Sequence, residues 1–108
     1  MTPELAAQRL AELGNLTRLG IFRLLVRAGD DGLNITEVRD RMDVPLSTLS
    51  FHLRGLVQSG LVTQERIGRV VICRADYRAL EGVLGFLQAE CCEGFPLVET
   101  VPADREVA

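Results

Sequence analysis

The chain has 108 residues, a net charge of −3 and 47% hydrophobic residues, which suits one domain with a modest core. No apolar run approaches the roughly 20 residues of a membrane span, so we expect no membrane partner. Its three cysteines, two of them adjacent, are not the framework of a small secreted disulfide protein. We therefore expect free thiols in a soluble, cytoplasmic protein.

The charges are unevenly distributed along the chain. Residues 45–74 contain four arginines and a single acid, Glu65, whereas six acidic residues lie between residues 81 and 106. A net negative charge argues against non-specific binding of nucleic acid. A basic strip on an acidic body can still engage phosphate groups.

Two helices are predicted at the start of the chain. Thr2 is a suitable N-cap and Pro3 suits a first turn, which predicts a helix over residues 3–13. Asn15 is a suitable N-cap for a second helix over residues 16–28. The apolar residues of this second helix predict a broad buried face: Leu16, Leu19, Phe22, Leu25 and Val26.

The middle of the chain predicts two helices joined by a short turn. Asn34 and Glu37 have the spacing of a capping box and open a third helix that ends at Met42. After about four residues, a fourth helix runs from Pro45 to Gly60, with three leucines on one face: Leu49, Leu53 and Leu56. Two short helices in this order are the helix-turn-helix arrangement.

Polar side chains dominate the other faces of the fourth helix, and they are our candidates for contact with DNA: Ser47, Thr48, Ser50, Phe51, His52 and Arg54. Ser, Thr and Arg hydrogen-bond base edges and phosphates, so we interpret this segment as a recognition helix. From the segment alone, an amphipathic surface helix is the alternative. His52 is the only histidine and lacks metal-ligand partners nearby, which favours a DNA-facing or locally hydrogen-bonded role.

Residues 61–73 predict a β-hairpin directly after the recognition helix. Gly68 marks its turn, and residues 70–72 are strong strand formers. Arg66 and Arg69 flank the tip, where they can reach the DNA backbone or the minor groove. A hairpin with this placement is a wing.

Asp76 is the predicted N-cap of a last helix that runs from Tyr77 to about Cys91. Its apolar seam suits packing on a twofold mate: Tyr77, Leu80, Leu84, Leu87 and Cys91. The predicted fold is mainly α with a β-hairpin wing, in the order α-α-α-α-β-β-α. We expect one domain over residues 1–93 and a loose tail over residues 94–108. No carboxylate pair lies near a nucleophile, so we expect no enzyme.

Three strings in this order carry a family resemblance: L-G-N-L-T-R-L-G-I-F-R-L-L, L-S-T-L-S-F-H-L-R-G-L-V-Q-S-G-L-V and R-I-G-R-V-V-I. Together they resemble the ArsR/SmtB winged-helix repressors. The resemblance implies a homodimer formed through the terminal helices, bound to a near-palindromic operator in double-stranded DNA and released by an inducer. It places Ser47, Thr48, Ser50 and His52 on DNA, and Arg54 and Arg69 on the backbone or in a groove. Phe51 departs from a position where the family often has Arg, which either loses one phosphate contact or exchanges a polar base contact for apolar contact with a thymine methyl group.

The resemblance also suggests an inducer. Asn34 and Thr36 occupy the positions of one arsenic-binding C-x-C pattern, and the last helix has no His for a borderline metal. What remains is Cys91-Cys92, which resembles the Cys-Cys pair of arsenite-responsive repressors. Those proteins commonly have a third Cys a few residues later, and residues 93–108 contain none.

We therefore expect no permanent cofactor and an inducer of trivalent arsenic or antimony, which are soft and favour thiolates. Arsenite has three exchangeable oxygens and methylarsenite has two. A third thiol comes from Cys73, comes from the other subunit, or is absent, with Cys73 the least certain ligand. Adjacent helical residues point ~100° apart, so binding is expected to unwind the last turn of the helix or to recruit a second chain.

Three alternatives stay open from the sequence. Cys91 and Cys73 are also consistent with ordinary buried apolar residues. A repressor of the same fold that senses thiol oxidation or persulfide would use Cys73 with Cys91 or Cys92. An arsenic-binding carrier without an operator is a third reading.

Overall fold

The structure is a computed structural model and describes residues 1–97. Within these residues, five α-helices, a 3₁₀ turn at Gly29–Asp31 and a three-stranded antiparallel sheet make up the fold. In chain order the elements are α1 (Pro3–Leu13), α2 (Leu16–Ala28), β1 (Leu33–Asn34), α3 (Ile35–Met42), α4 (Leu46–Gln58), β2 (Val62–Ile67), β3 (Val70–Ala75) and α5 (Tyr77–Gln88). The predicted mainly helical fold with a wing is confirmed, and β1 is a strand that the sequence did not predict.

Side-chain caps begin four of the helices where the sequence predicts them. The side chains of Thr2, Asn15 and Asp76 accept hydrogen bonds from backbone N–H groups in the first turns of α1, α2 and α5. At α3 the capping box is complete. Asn34 Oδ1 accepts from Glu37 N at 2.8 Å, and Glu37 Oε1 accepts from Asn34 N at 2.9 Å. These caps satisfy N–H groups that have no partner within the helix.

The wing is the hairpin of β2 and β3, with β1 on the other side of β3. Its register runs from Val62 opposite Ala75 to Ile67 opposite Val70. Gly68 in the turn has a φ of 62°, which an L residue adopts only with strain. β1 has two residues, too few for an alternating pattern to reveal it in the sequence.

The core lies between α2, α4, the sheet and the start of α5, and includes Ile21, Phe22, Leu25, Leu49 and Val62. The predicted inner face of α2 is wrong in part, because Leu16 is 87% exposed and Leu19 and Val26 are more than a third exposed. Ile21 is fully buried in their place. Apolar periodicity does not distinguish a face that contacts the chain's own core from one that remains at the surface.

α5 ends at Gln88, three residues before the predicted end at Cys91. Ala89 has extended backbone angles, and Glu90 and Cys92 have φ values of 63° and 64°, so the chain turns out of the helix. Cys91 therefore does not continue the apolar seam.

Residues 94–97 have no regular structure, and the rest of the predicted tail, residues 98–108, lies outside the described residues. The boundary at residue 93 stays a prediction. No helix within residues 1–97 combines the length and the apolarity that crossing a membrane requires.

Candidate nucleic-acid interface and thiol pair

The turn between α3 and α4 is tight. Asp43 ends α3 in the left-handed region, with a φ of 54°, and its N–H donates to Arg39 O at 2.8 Å. Pro45 then opens α4, where its fixed φ suits the start of a helix. The three leucines predicted on the inner face of α4 are all buried: Leu49, Leu53 and Leu56. Their burial fixes which face of α4 remains available outside.

The C-terminal end of α4 is closed by a Schellman motif. Gly60 has a φ of 81° and donates its N–H to Val57 O at 3.0 Å, and Leu61 N donates to Leu56 O at 3.0 Å. The predicted stop at Gly60 is therefore confirmed. Leu61 follows at once and is fully buried, so the wing starts without a linker.

Helix α1 holds the outer end of α4, a role that the sequence did not predict. Arg9 Nε donates to Ser59 O at 2.9 Å, and the Glu12 carboxylate lies against Gly55 in the middle of α4. Glu12 Oε2 is buried and 3.2 Å from Arg18 Nε. That guanidinium N–H donates instead to Glu12 O at 2.9 Å, so Oε2 has an ion-pair neighbour but no hydrogen bond within the described residues. A glycine inside a helical pattern was the available signal for this close approach.

The predicted DNA-contacting residues on the outer faces of α4 differ in their solvent exposure. Ser47, Ser50, Phe51 and Arg54 are exposed. Thr48 and His52 are half-buried at the edges of this surface. All six lie off the leucine stripe, and their role toward DNA stays a prediction.

His52 makes an unusual contact with its neighbour. Its ring meets the ring of Phe51 edge to face, with 5.4 Å between centroids and an interplanar angle of 69°. Its Nδ1 is buried and has no hydrogen-bond partner in the described part of the chain. A contact between His52 and DNA would therefore use the other ring nitrogen, Nε2.

The wing carries Arg66 and Arg69 exposed at its tip, and neither forms an ion pair within residues 1–97. Arg74, by contrast, is used inside the fold. Its Nη1 lies 2.8 Å from Glu65 Oε1, and its Nε donates to Asp30 O at 2.7 Å. The arginines of the basic strip that remain for phosphate are Arg54, Arg66 and Arg69.

The structure brings two of the three thiols together. Cys91 and Cys92 are exposed, and their Sγ atoms are 3.1 Å apart. The divergence expected on an intact helix does not arise, because α5 ends at Gln88, before both residues. The hydrogen bond with Cys92, followed by desolvation, raises the pKa of the Cys91 thiol.

Cys73 is fully buried in β3, where Gln64 Nε2 donates to its Sγ at 3.5 Å. Burial raises the pKa of this thiol, against the lowering effect of the Gln64 hydrogen bond. Within residues 1–97 no three His, Cys, Asp or Glu residues form a group that could hold a metal. The single chain therefore does not combine Cys73 with the exposed pair.

Comparison with known proteins relates this geometry to a family. A family model described as a helix-turn-helix domain matches residues 13–65. No curated protein matches the chain at a significant level. Solved structures match over 78% to 96% of the chain.

Three of these structures illustrate the similarity. An ArsR-like transcriptional regulator from Rhodococcus sp. RHA1 has a TM-score of 0.71 and 23% identity, over 96% of this chain and 87% of the other. A homodimeric winged helix-turn-helix domain from Mycobacterium bovis, a possible ArsR-family regulator, has a TM-score of 0.65 and 23% identity over 89% of both chains. A possible transcriptional regulator for arsenical resistance has a TM-score of 0.67 and 25% identity over 93% of both chains.

The order of helices and strands, the helix-turn-helix match and these neighbours agree. α3 and α4 form the helix-turn-helix, and β2 and β3 form the wing. The chain therefore contains a helix-turn-helix domain over residues 13–65 and has the winged helix-turn-helix fold of the solved ArsR-like regulators to which it is similar.

Proposed function

We propose that the protein is a homodimeric repressor that leaves its operator when trivalent arsenic or antimony binds Cys91 and Cys92. The observation that supports this most directly is the exposed thiol pair, with its sulfur atoms 3.1 Å apart. Two soft ligands at this separation suit one soft trivalent centre. No change of α5 is needed to bring them together.

The chemistry balances with neutral thiols. Each thiol proton leaves with a hydroxyl group of arsenite as water, so two As–S bonds form and two water molecules are released. Arsenite then keeps one hydroxyl group, whereas methylarsenite keeps its methyl group and has no further ligand to exchange. Cys73 is buried away from solvent, so a single chain offers two thiols. Two thiols complete the coordination of methylarsenite, which is therefore the favoured inducer.

Dimerisation is the second part of the proposal. Leu84 and Leu87 on α5 are 50% and 58% exposed, which suits the predicted seam. The homodimeric domain from Mycobacterium bovis has the same fold. A twofold dimer must hold its two recognition helices ~34 Å apart to occupy successive major grooves.

The thiol pair is connected to the recognition helix through the backbone. Asp76 N, at the start of α5, donates to Leu61 O at 2.8 Å, next to the end of α4. A ligand that alters the segment after α5 would change the dimer seam and the separation of the two α4 helices. The coupling is reciprocal, so operator DNA must weaken arsenic binding by the same factor.

The test uses the full chain and a duplex from upstream of its own gene. Arsenite, antimonite and methylarsenite are titrated into the protein–DNA complex, and release is followed by fluorescence anisotropy. We expect release from the native protein, and unchanged DNA affinity without release from the Cys91→Ser, Cys92→Ser double variant. Cys73→Ala is the matched control and should still respond. Release from the double variant at the native inducer concentration would rule out this site.

Two further measurements distinguish the proposed arsenic sensor from the two alternative functions. A redox or persulfide sensor that uses Cys73 requires that thiol to react, and its burial and raised pKa weigh against this. Mass spectrometry after treatment with peroxide or polysulfide would find a Cys73 cross-link if the redox alternative held. An arsenic-binding carrier would bind the metalloid without binding the duplex.

A further inference from the structure

We propose that Phe51 reads the 5-methyl group of a thymine in the major groove of the operator, and that His52 holds its ring in place. The proposal rests on the DNA-binding function and specifies which base the recognition helix selects at one position of each half-site. It concerns specificity, and it does not depend on what the thiol pair binds.

Phe51 is a large apolar side chain exposed on the face of α4 away from the core. It is 61% exposed, whereas Leu49 and Leu53 on the inner face are buried. Single exposed apolar residues are common on protein surfaces, so exposure alone carries no inference. The difference here is the position, because the helix-turn-helix arrangement presents this surface of α4 to base edges.

Phe51 differs from its exposed neighbours on α4 in the kind of base contact that it can form. Ser47, Ser50 and Arg54 are exposed on the same helix and can hydrogen-bond bases and phosphates. A phenyl ring cannot form such hydrogen bonds. Among the four bases only thymine presents an apolar group, its 5-methyl group, in the major groove. The ring therefore matches a thymine and leaves the polar edges of other bases unsatisfied.

The contact with His52 limits the freedom of the Phe51 ring. The two rings meet edge to face at 5.4 Å, and His52 is itself half-buried with an inaccessible Nδ1. A side chain that is ordered before binding loses less rotamer entropy when it contacts DNA. His52 is thus a positioning residue for Phe51, whether or not its Nε2 also contacts DNA.

The experiment first selects duplexes from a random-sequence library with the full-length protein. Each thymine of the selected duplex is then replaced by deoxyuridine, which removes only the methyl group, and dissociation constants are measured by anisotropy at fixed salt. Loss of one buried methyl group weakens binding about fourfold per half-site, or about fifteenfold when both half-sites are changed. We expect this effect at one symmetric thymine pair for the native protein.

Variants separate methyl recognition from general affinity. Phe51→Ala should bind thymine and uracil duplexes equally, and Phe51→Leu should keep part of the difference. Arg54→Ala is the matched control, since it should weaken both duplexes and leave their ratio unchanged. His52→Ala should reduce the ratio of the thymine and uracil affinities. Tm values of the Phe51 and His52 variants, measured by circular dichroism, should be close to that of the native protein, because both residues lie outside the core.

Each outcome has a defined meaning. A thymine-to-uracil effect that disappears in Phe51→Ala supports the proposal. A native protein insensitive to every replacement, or a ratio unchanged in Phe51→Ala, overturns it while DNA binding stands. An unchanged ratio in His52→Ala overturns the positioning role. Failure to enrich any duplex would instead contradict the DNA-binding function itself.

Discussion

Three cysteines of one chain have different chemical surroundings. The adjacency of Cys91 and Cys92 is evident in the sequence, but their convergence depends on where α5 ends. Residues 86–93 contain no Gly or Pro, so the sequence contained no signal that the helix stops at Gln88. The inward position of Cys73 depends on the register of β3, which long-range pairing determines.

Cys73 makes stability depend on pH in the alkaline range. Its pKa in the folded chain is raised above the ordinary 9.0, so above pH 9 the unfolded chain loses this proton first and unfolding becomes easier. Stability from this group is complete below pH 9 and declines as pH rises. Urea unfolding at pH 7 and pH 10 should show a larger decline for the native protein than for Cys73→Ala. Equal declines in the two proteins would contradict the assignment.

At the scale of elements, local chemistry made most of the fold predictable. Capping by Asn15, Asn34 and Asp76 involves residues three apart, and the structure has each of these caps. The exposed position of Leu16 and the identity of Glu12 as the side chain against Gly55 were not predictable. Both depend on how α1 and α2 lie relative to distant elements, which periodicity does not contain.

Two mid-helix glycines should respond differently to replacement by alanine. A Cβ at Gly85 in α5 meets nothing within 4 Å, so Gly85→Ala should raise the free energy of unfolding by about 0.5–1 kcal/mol through helix propensity. A Cβ at Gly55 in α4 would overlap the end of the Glu12 side chain, which must move, so Gly55→Ala should gain less stability than Gly85→Ala. Chemical denaturation measures both changes. An equal gain in the two variants would mean that Glu12 does not hold α4.

At the scale of the whole molecule, the exposed apolar seam of α5 should control assembly. Leu84→Glu with Leu87→Glu places four charges in a twofold interface and should weaken dimerisation more than about 100-fold, because each leucine loses its burial in both subunits. Sedimentation equilibrium measures the association.

The matched control for assembly lies on the wing. Ile67→Glu replaces a residue that is 55% exposed at the tip of the wing hairpin, and it should leave the dimer intact. If the double variant remained as dimeric as this control, the subunits would associate through another surface. The DNA affinity of the Leu84→Glu, Leu87→Glu double variant should fall together with its dimerisation, since each monomer then contacts a single half-site.

The hydrogen bond between Asp76 N and Leu61 O attaches one end of α5 to the junction of α4 and the wing. The other end of α5 is solvent-exposed about 18 Å away. If the proposed function holds, substitutions at residues 91 and 92 should therefore change the stimulus to which the molecule responds without disturbing the junction that orients α4 and the wing. The scaffold is modular in this respect: the proposed detector follows one end of α5, and the backbone hydrogen bond at the other end preserves the DNA-reading part.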